Sequence, residues 1–190
     1  MQVVALDCEM VVVRRQPKPG VALARVSLVG EDGQLLYDSL VHVPSDTIID
    51  YQTPKSGIRE GDLEDAPSYE NVRNKVIALT KGKILVGHAL WNDLAVLNLS
   101  WNLDNVRDTA LYYPLRKHVG IHQEGVYPSL KVLAEKILGK VIQVGEHSSI
   151  EDAQTCLALY ALYAEEWDRG VKAYEEVTAL LPNGSGEWYW

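Results

Sequence analysis

Residues 2–13 read QVVALDCEMVVV, an apolar run interrupted by two acids, Asp7 and Glu9. In a strand, side chains alternate between faces. Val3, Ala5, Asp7, Glu9 and Val11 then share one face, and Val4, Leu6, Cys8 and Met10 the other. Two neighbouring carboxylates in an apolar strand repel each other and lose solvation, at roughly several kcal/mol each when ionised and unpaired. A hard divalent cation, which takes oxygen ligands, is the economical compensation. The plainer alternative is a solvated strand end or a basic partner. A second acid, Asp93, closes Gly87-His88-Ala89-Leu90-Trp91-Asn92-Asp93, where an apolar strand gives way to a helix, a usual place for functional groups in α/β sheets. The third group is His147-Ser148-Ser149-Ile150-Glu151-Asp152. Its Ser148-to-Glu151 segment is a capping-box pattern, which uses Glu151 and leaves Asp152 without a local duty. Taken singly, Asp93 and Asp152 fit helix-dipole compensation, and His88 and His147 fit ordinary structural or loop residues. Together, four carboxylates on three elements with a histidine beside the last are the inventory for two divalent ions and a general base.

The elements that must position these groups follow from the hydrophobic pattern. After the strand at 2–13, a β-branched run at 21–29 and the turn Glu31-Asp32-Gly33 lead into 34–43, which predicts an antiparallel three-strand meander. Residues 44–67, rich in Pro, Gly, Asp and Ser, read as a long surface excursion. Helix and strand then alternate: a helix over 68–80, a strand over 83–87, a helix near 91–99, a strand near 104–108 and a polar loop at 114–127. Ser129 caps a helix stopped by Gly139, and the last long helix starts at Ser148. The expected fold is α/β, a mixed sheet of antiparallel meander followed by parallel strands, with helices on both faces. One domain is expected over residues 1–168. The remainder, ending Gly184-Ser185-Gly186-Glu187-Trp188-Tyr189-Trp190, lacks a core-forming period and reads as a loosely attached, partly disordered extension.

With 190 residues, 47% hydrophobic and 23% charged, the chain has the balance of a soluble globular protein. No apolar run approaches the ~20 residues of a membrane span, and Asp7 and Glu9 break the N-terminal run as no signal peptide would. Two cysteines, Cys8 and Cys156, exclude a disulfide scaffold and a four-cysteine zinc site, and point to an intracellular protein of nucleus, nucleolus or cytoplasm. A formal charge of −8 excludes a generic basic coat protein, so a polyanion must be held locally or through bound cations.

The motifs resemble the DEDDh family of 3′→5′ exonucleases. Asp7-Cys8-Glu9 matches its first motif, His88 to Asp93 its second, and His147 with Asp152, in His-x4-Asp spacing, its third. The branch of RNA exonuclease 4 and interferon-stimulated exonucleases is most similar. That likeness rests on Ala5-Leu6-Asp7-Cys8-Glu9-Met10, Ala22-Leu23-Ala24-Arg25-Val26-Ser27, Ser56-Gly57-Ile58, Val86-Gly87-His88 and Gly145-Glu146-His147-Ser148-Ser149. The resemblance implies a ribonuclease H-like fold and a two-metal phosphodiesterase that releases 5′-mononucleotides from the 3′ end of single-stranded RNA or DNA, RNA favoured. It implies two Mg²⁺ or Mn²⁺ ions about 3.5–4 Å apart. Asp7, Glu9 and Asp152 would hold the first ion, Asp7 would bridge to the second, and Asp93 would support that one. His147 would be the general base, and Met10, His88, Asn92 and Gln52 would meet the substrate. Gln52 departs from the arginine that many relatives carry at a sugar or phosphate contact.

Outside the motifs, Arg107, Arg116, Lys117 and His118 form the most plausible substrate-facing basic group, against the alternative of solvated surface charges. Trp91 or Tyr51 could stack on a base or simply pack. Two competing functions remain open: a catalytically silent nucleic-acid-binding scaffold of the same fold, and a metal-dependent phosphomonoesterase.

Overall fold

A computed structural model describes residues 2–189. Three long strands come first: β1 (Val3–Val13), β2 (Gly20–Gly30) and β3 (Leu35–Leu40). They form the expected antiparallel meander. After β4 (Ile48–Asp50), α1 (Thr53–Ser56) and α2 (Tyr69–Thr80), the chain returns through β5 (Ile84–Gly87), α3 (Leu90–Leu97) and β6 (Val106–Asp108). Helices α4 (Tyr113–His118), α5 (Leu130–Leu133) and α6 (Ser149–Lys172) follow. The sheet order is β3-β2-β1-β5-β6; β1 pairs parallel with β5 and β5 parallel with β6, while β4 pairs antiparallel with the far end of β1.

β1 lies inside the sheet, so both its faces are covered, as its two apolar sets require. Val3 and Ala5 pack with Val86, Leu133, Ala153, Cys156 and Trp167 under α5 and α6. Val4, Leu6 and Cys8 pack with Val72, Val76, Leu90 and Leu94 under α2 and α3. The two cysteines are therefore on opposite sides of the sheet, and both are free.

The serine caps fall where the sequence puts them. Ser129 Oγ accepts from Val132 N–H at 3.3 Å, and Ser148 Oγ from Glu151 N–H at 3.4 Å. α5 runs on through a π turn (Ala134–Leu138) and stops at Gly139, whose φ is 63°. The surface excursion at 44–67 contains β4 and α1, and the polar loop at 114–127 contains α4 in its first turns. None of these is long enough to show a hydrophobic period.

The C-terminal segment corrects the expectation of a loose extension. α6 continues past residue 168 to Lys172, and the chain then folds back onto the core. Tyr113 N–H donates to Val177 O, Ala179 N–H to Leu111 O, and Trp101 N–H to Trp188 O. Trp188 and Tyr189 pack against the α2–α3 side of the core. A Cβ at Gly170 would meet Val177 Cγ1 at 2.6 Å, so the return needs glycine there. Isolated bridges and single aromatic anchors hold this segment, and such contacts carry no periodic signal. Trp190 lies outside the described residues.

Candidate active site

The three motif elements converge where β1 passes its midpoint. Asp7 pairs across the sheet with Ser27, and Glu9 with Arg25; the register then slips at a bulge between Glu9 and Met10. Ser27 Oγ lies 2.7 Å from Ser149 Oγ in a buried contact that docks the first turn of α6 beside Asp7. One turn on, Asp152 is buried, as are Glu9 and Asp93, while Asp7 is half-buried. Gln143 Nε2 donates to Asp152 Oδ2 at 2.9 Å.

The four carboxylates disturb one another. Burial pushes Asp7 well above the usual carboxylate range, and the charges of Asp93, Asp152 and Glu9 push it further. Burial raises Glu9 to about 7, with Asp152 adding and Arg25 opposing. Arg25 does not neutralise the site, because its guanidinium is engaged by Asp38 in two bonds of 2.8 Å. Burial likewise lifts Asp93 to about 8, against the opposing Cys8 thiol. Asp152 is raised by burial in spite of Gln143 and His147. Glu9 Oε1 and Asp152 Oδ1 are buried and have no hydrogen-bond partner among the described residues. Unpartnered carboxylate oxygens are expensive in a protein interior, and an all-oxygen set of this kind suits a hard divalent ion. Among the described residues, no three histidine, cysteine or carboxylate side chains already close into a metal cage.

Behind Asp93 stands a support that the motif spacing does not reveal. Asp108, at the end of β6, accepts from Ala89 N–H and Ala110 N–H at 2.9 Å and from Leu90 N–H at 2.8 Å. These bonds hold Ala89 in the left-handed region (φ 54°) and start α3 directly beside β5. Burial still lifts Asp108 to about 6. Gly87 is required at this crossing, since a Cβ would stand 2.9 Å from Leu6 O and 2.4 Å from Leu90 Cδ2. His88 Nδ1 lies 2.8 Å from Thr109 Oγ1, and burial lowers the ring to about 4, so it is neutral at physiological pH.

His147 sits on the loop before α6, partly exposed, with Nδ1 3.9 Å from Asp152 Oδ2. Its N–H donates to Lys55 O at 3.1 Å. Next to it, Glu146 forms an ion pair with Arg59, whose Nη1 also donates to Gly57 O at 2.9 Å. The Ser56-Gly57-Ile58 and Gly145-to-Ser149 stretches are thus two sides of one contact.

Among the expected substrate residues, Met10 is half-buried against the α3 side of the core, and Asn92 is exposed in the first turn of α3. Gln52 occupies a left-handed position (φ 51°) at the start of α1, its N–H donating to Asp50 Oδ1 at 2.7 Å. Trp91 stacks at a tilt on Tyr127, and Tyr51 packs against the core beyond the bulge.

The expected basic group is corrected. Arg107 is 2% exposed and donates to Asp168 Oδ1 at 2.8 Å and to the carbonyls of Asp104 and Val106. Arg116 is fully buried beneath the carbonyls of Gln123 and Val126, with Tyr113 and Tyr127 beside its guanidinium. Both are structural; only Lys117 and His118 of that group are exposed. Asp108 could have been found by the same strand-end rule that selected Asp93. No local signal marks Gln143 or Arg59.

An antiparallel meander joined to parallel strands, with acids from three elements meeting at the central strand, defines a ribonuclease H-like nuclease domain. Residues 4–160 match the exonuclease family model RNase_T, and the chain belongs to that family. It is 44% identical to human RNA exonuclease 4 over 86% of this chain and 37% of that protein. The Xenopus tropicalis RNA exonuclease 4 is 40% identical over 95% and 42% respectively. The chain therefore spans about two-fifths of the length of the curated relatives it matches. Among solved structures, it resembles the Saccharomyces cerevisiae Pan2 pseudoubiquitin hydrolase–RNA exonuclease module in complex with A7 RNA. The TM-score is 0.74 at 33% identity, covering 91% of this chain and 30% of that one. The Neurospora crassa Pan2 catalytic unit gives 0.72 at 31% identity, over 91% and 28%.

Proposed function

We propose that this chain is a 3′→5′ exonuclease domain that shortens single-stranded RNA and releases nucleoside 5′-monophosphates. The observation that carries the reading is the pair of buried, unpartnered oxygens, Glu9 Oε1 and Asp152 Oδ1, among carboxylates that raise one another's proton affinity. Asp7, Glu9 and Asp152 would hold one Mg²⁺ or Mn²⁺, and Asp7 with Asp93 a second. When bound, such ions supply positive charge for the scissile phosphate and acidify a water.

His147 takes the proton of the attacking water, and Asp152 stabilises the resulting imidazolium. The bond broken joins phosphorus to the 3′ oxygen of the preceding nucleotide, so the product keeps its 5′ phosphate. Met10 meets the terminal sugar and base, Asn92 and Gln52 offer amides to sugar or phosphate, and neutral His88 orients the turn that carries Asp93. Support for RNA comes from the named activity of the curated relatives and from the yeast Pan2 module solved with RNA. Cys8 and Cys156, free on opposite sides of the sheet, support an intracellular location.

The test uses 5′-labelled single strands of RNA and of DNA with Mg²⁺. A ladder shortening one nucleotide at a time, faster for RNA and stopped by EDTA, supports the reading. Internal fragments, or phosphate release from a mononucleotide instead, contradict it.

A further inference from the structure

A groove of about 690 Å³ opens on the α3 side of the sheet and contains none of the four carboxylates. Its volume lies within the ~300–1,000 Å³ of ligand clefts. Its floor is apolar, with Leu23, Val41 and Val96, and its outer wall is the β1–β2 hairpin with Arg14 and Arg15. Two features tie it to the site. Leu23 is the cross-strand partner of Met10, and Val96 stands one helical turn after Asn92 on α3. Arg14 lies five residues beyond Glu9, about 16 Å along the strand.

The charge of the groove is unlike that of the chain. Acids outnumber Lys and Arg by 26 to 18 overall, yet no Asp or Glu lines this cleft. Arg14, Arg15 and His42 do. Both arginines are exposed, and neither forms a salt bridge among the described residues. The hairpin is held in place by Arg14 N–H donating to Thr47 O at 2.7 Å. An apolar floor beside unpaired guanidiniums, continuous with the residue that meets the 3′ terminus, matches the chemistry of a single polynucleotide strand: bases on the floor, phosphates on the wall.

We infer that this groove binds the nucleotides upstream of the scissile 3′ end, with Arg14 and Arg15 contacting their phosphates. The inference rests on the exonuclease reading and extends it, because it makes length discrimination a property of the β1–β2 hairpin. A dinucleotide reaches the carboxylates but not the arginines; a longer strand reaches both.

The experiment compares hydrolysis of a dinucleotide and of a longer RNA oligonucleotide by the unsubstituted chain and by Arg14→Ala/Arg15→Ala. For the longer strand, KM is expected to rise about tenfold in the variant with kcat little changed, while dinucleotide turnover stays the same. Equilibrium binding of the longer strand in an Asp152→Asn background provides a readout independent of cleavage. There the slope of log affinity against log salt should shrink by about 1.4, or ~0.7 for each lost phosphate contact. Arg14→Glu/Arg15→Glu should weaken binding further.

Equal KM values and equal salt slopes in all variants would overturn the groove assignment, leaving it free for a protein segment or nothing. Failure of the exonuclease reading looks different: neither substrate is cleaved by the unsubstituted chain, and the binding slopes alone then decide the groove.

Discussion

The N–H of His147 donates to the carbonyl of Lys55, 92 positions earlier in the chain, at 3.1 Å. The ion pair of Arg59 with Glu146 closes the same contact from the solvent side. The loop that carries the proposed base is therefore located by the turn after β4, not by α6 alone. Arg59→Ala is expected to lower kcat several-fold with KM little changed, and to leave the melting temperature unmoved, since exposed pairs contribute little to stability. Arg59→Lys should recover part of the loss, and the exchanged pair Arg59→Glu/Glu146→Arg more than either single change. Normal kcat in Arg59→Ala contradicts a positioning role.

Asp108 accepts from three backbone N–H groups. Two of them, Ala89 and Leu90, open the helix that carries Asp93, while the third, Ala110, fixes the carboxylate itself. Asp108→Ala leaves those donors buried and unmatched. It should cost about 2–4 kcal/mol of stability in denaturant titrations and reduce activity as well. Asp108→Asn keeps one acceptor oxygen and should lose less of both. Unchanged stability in the alanine variant would falsify this account of the α3 start.

Most of the architecture could be read from residue pattern, and the reason is physical. β1 shows apolar residues on both faces because both faces are covered, and the capping serines at 129 and 148 announce helices whose hydrogen bonds begin there. The three motif elements were legible because buried acids are costly enough to be conspicuous. The supports were less so. Asp108 stands at a strand end, where the rule that selected Asp93 also applies. Arg59 and Gln143, however, act through contacts that fold together distant loops, and nothing nearby in the chain marks them. Arg107 and Arg116 misled for the opposite reason, since a charged residue type suggests a surface. Burial of their guanidiniums depends on carbonyls and aromatic rings from other segments. The C-terminal return was illegible because single anchors such as Trp188 have no period.

The shared burial of the carboxylates has a consequence for pH. Glu9 and Asp93 ordinarily titrate near 4.5 and 3.8 but are lifted to about 7 and about 8 in the fold. The native state thus binds these protons more tightly than the unfolded chain. That contribution to stability is complete below about pH 4 and is lost as pH rises through 7–8. In EDTA the melting temperature should fall between about pH 5 and pH 8. Excess Mg²⁺, which replaces the protons, should raise it more at pH 8 than at pH 6. A flat profile in EDTA over this window contradicts the coupling.

His147 and Asp152 lie 3.9 Å apart yet should fail differently. His147→Ala should cut kcat by about 10²–10⁴-fold while cation binding persists. Asp152→Asn should abolish turnover and weaken cation binding. Its metal-free melting temperature should rise, because one buried, repelling charge is gone. Loss of cation binding in the histidine variant would move His147 from base to ligand.

The most direct test of the site is a calorimetric titration of Mn²⁺ into the metal-free chain at neutral pH, alongside Glu9→Gln and Asp152→Asn. The account predicts saturable binding with proton release by the unsubstituted chain, and weaker binding with fewer protons released by each variant. Absence of saturable binding, or three indistinguishable isotherms, would contradict the claim that these acids are gathered to hold cations.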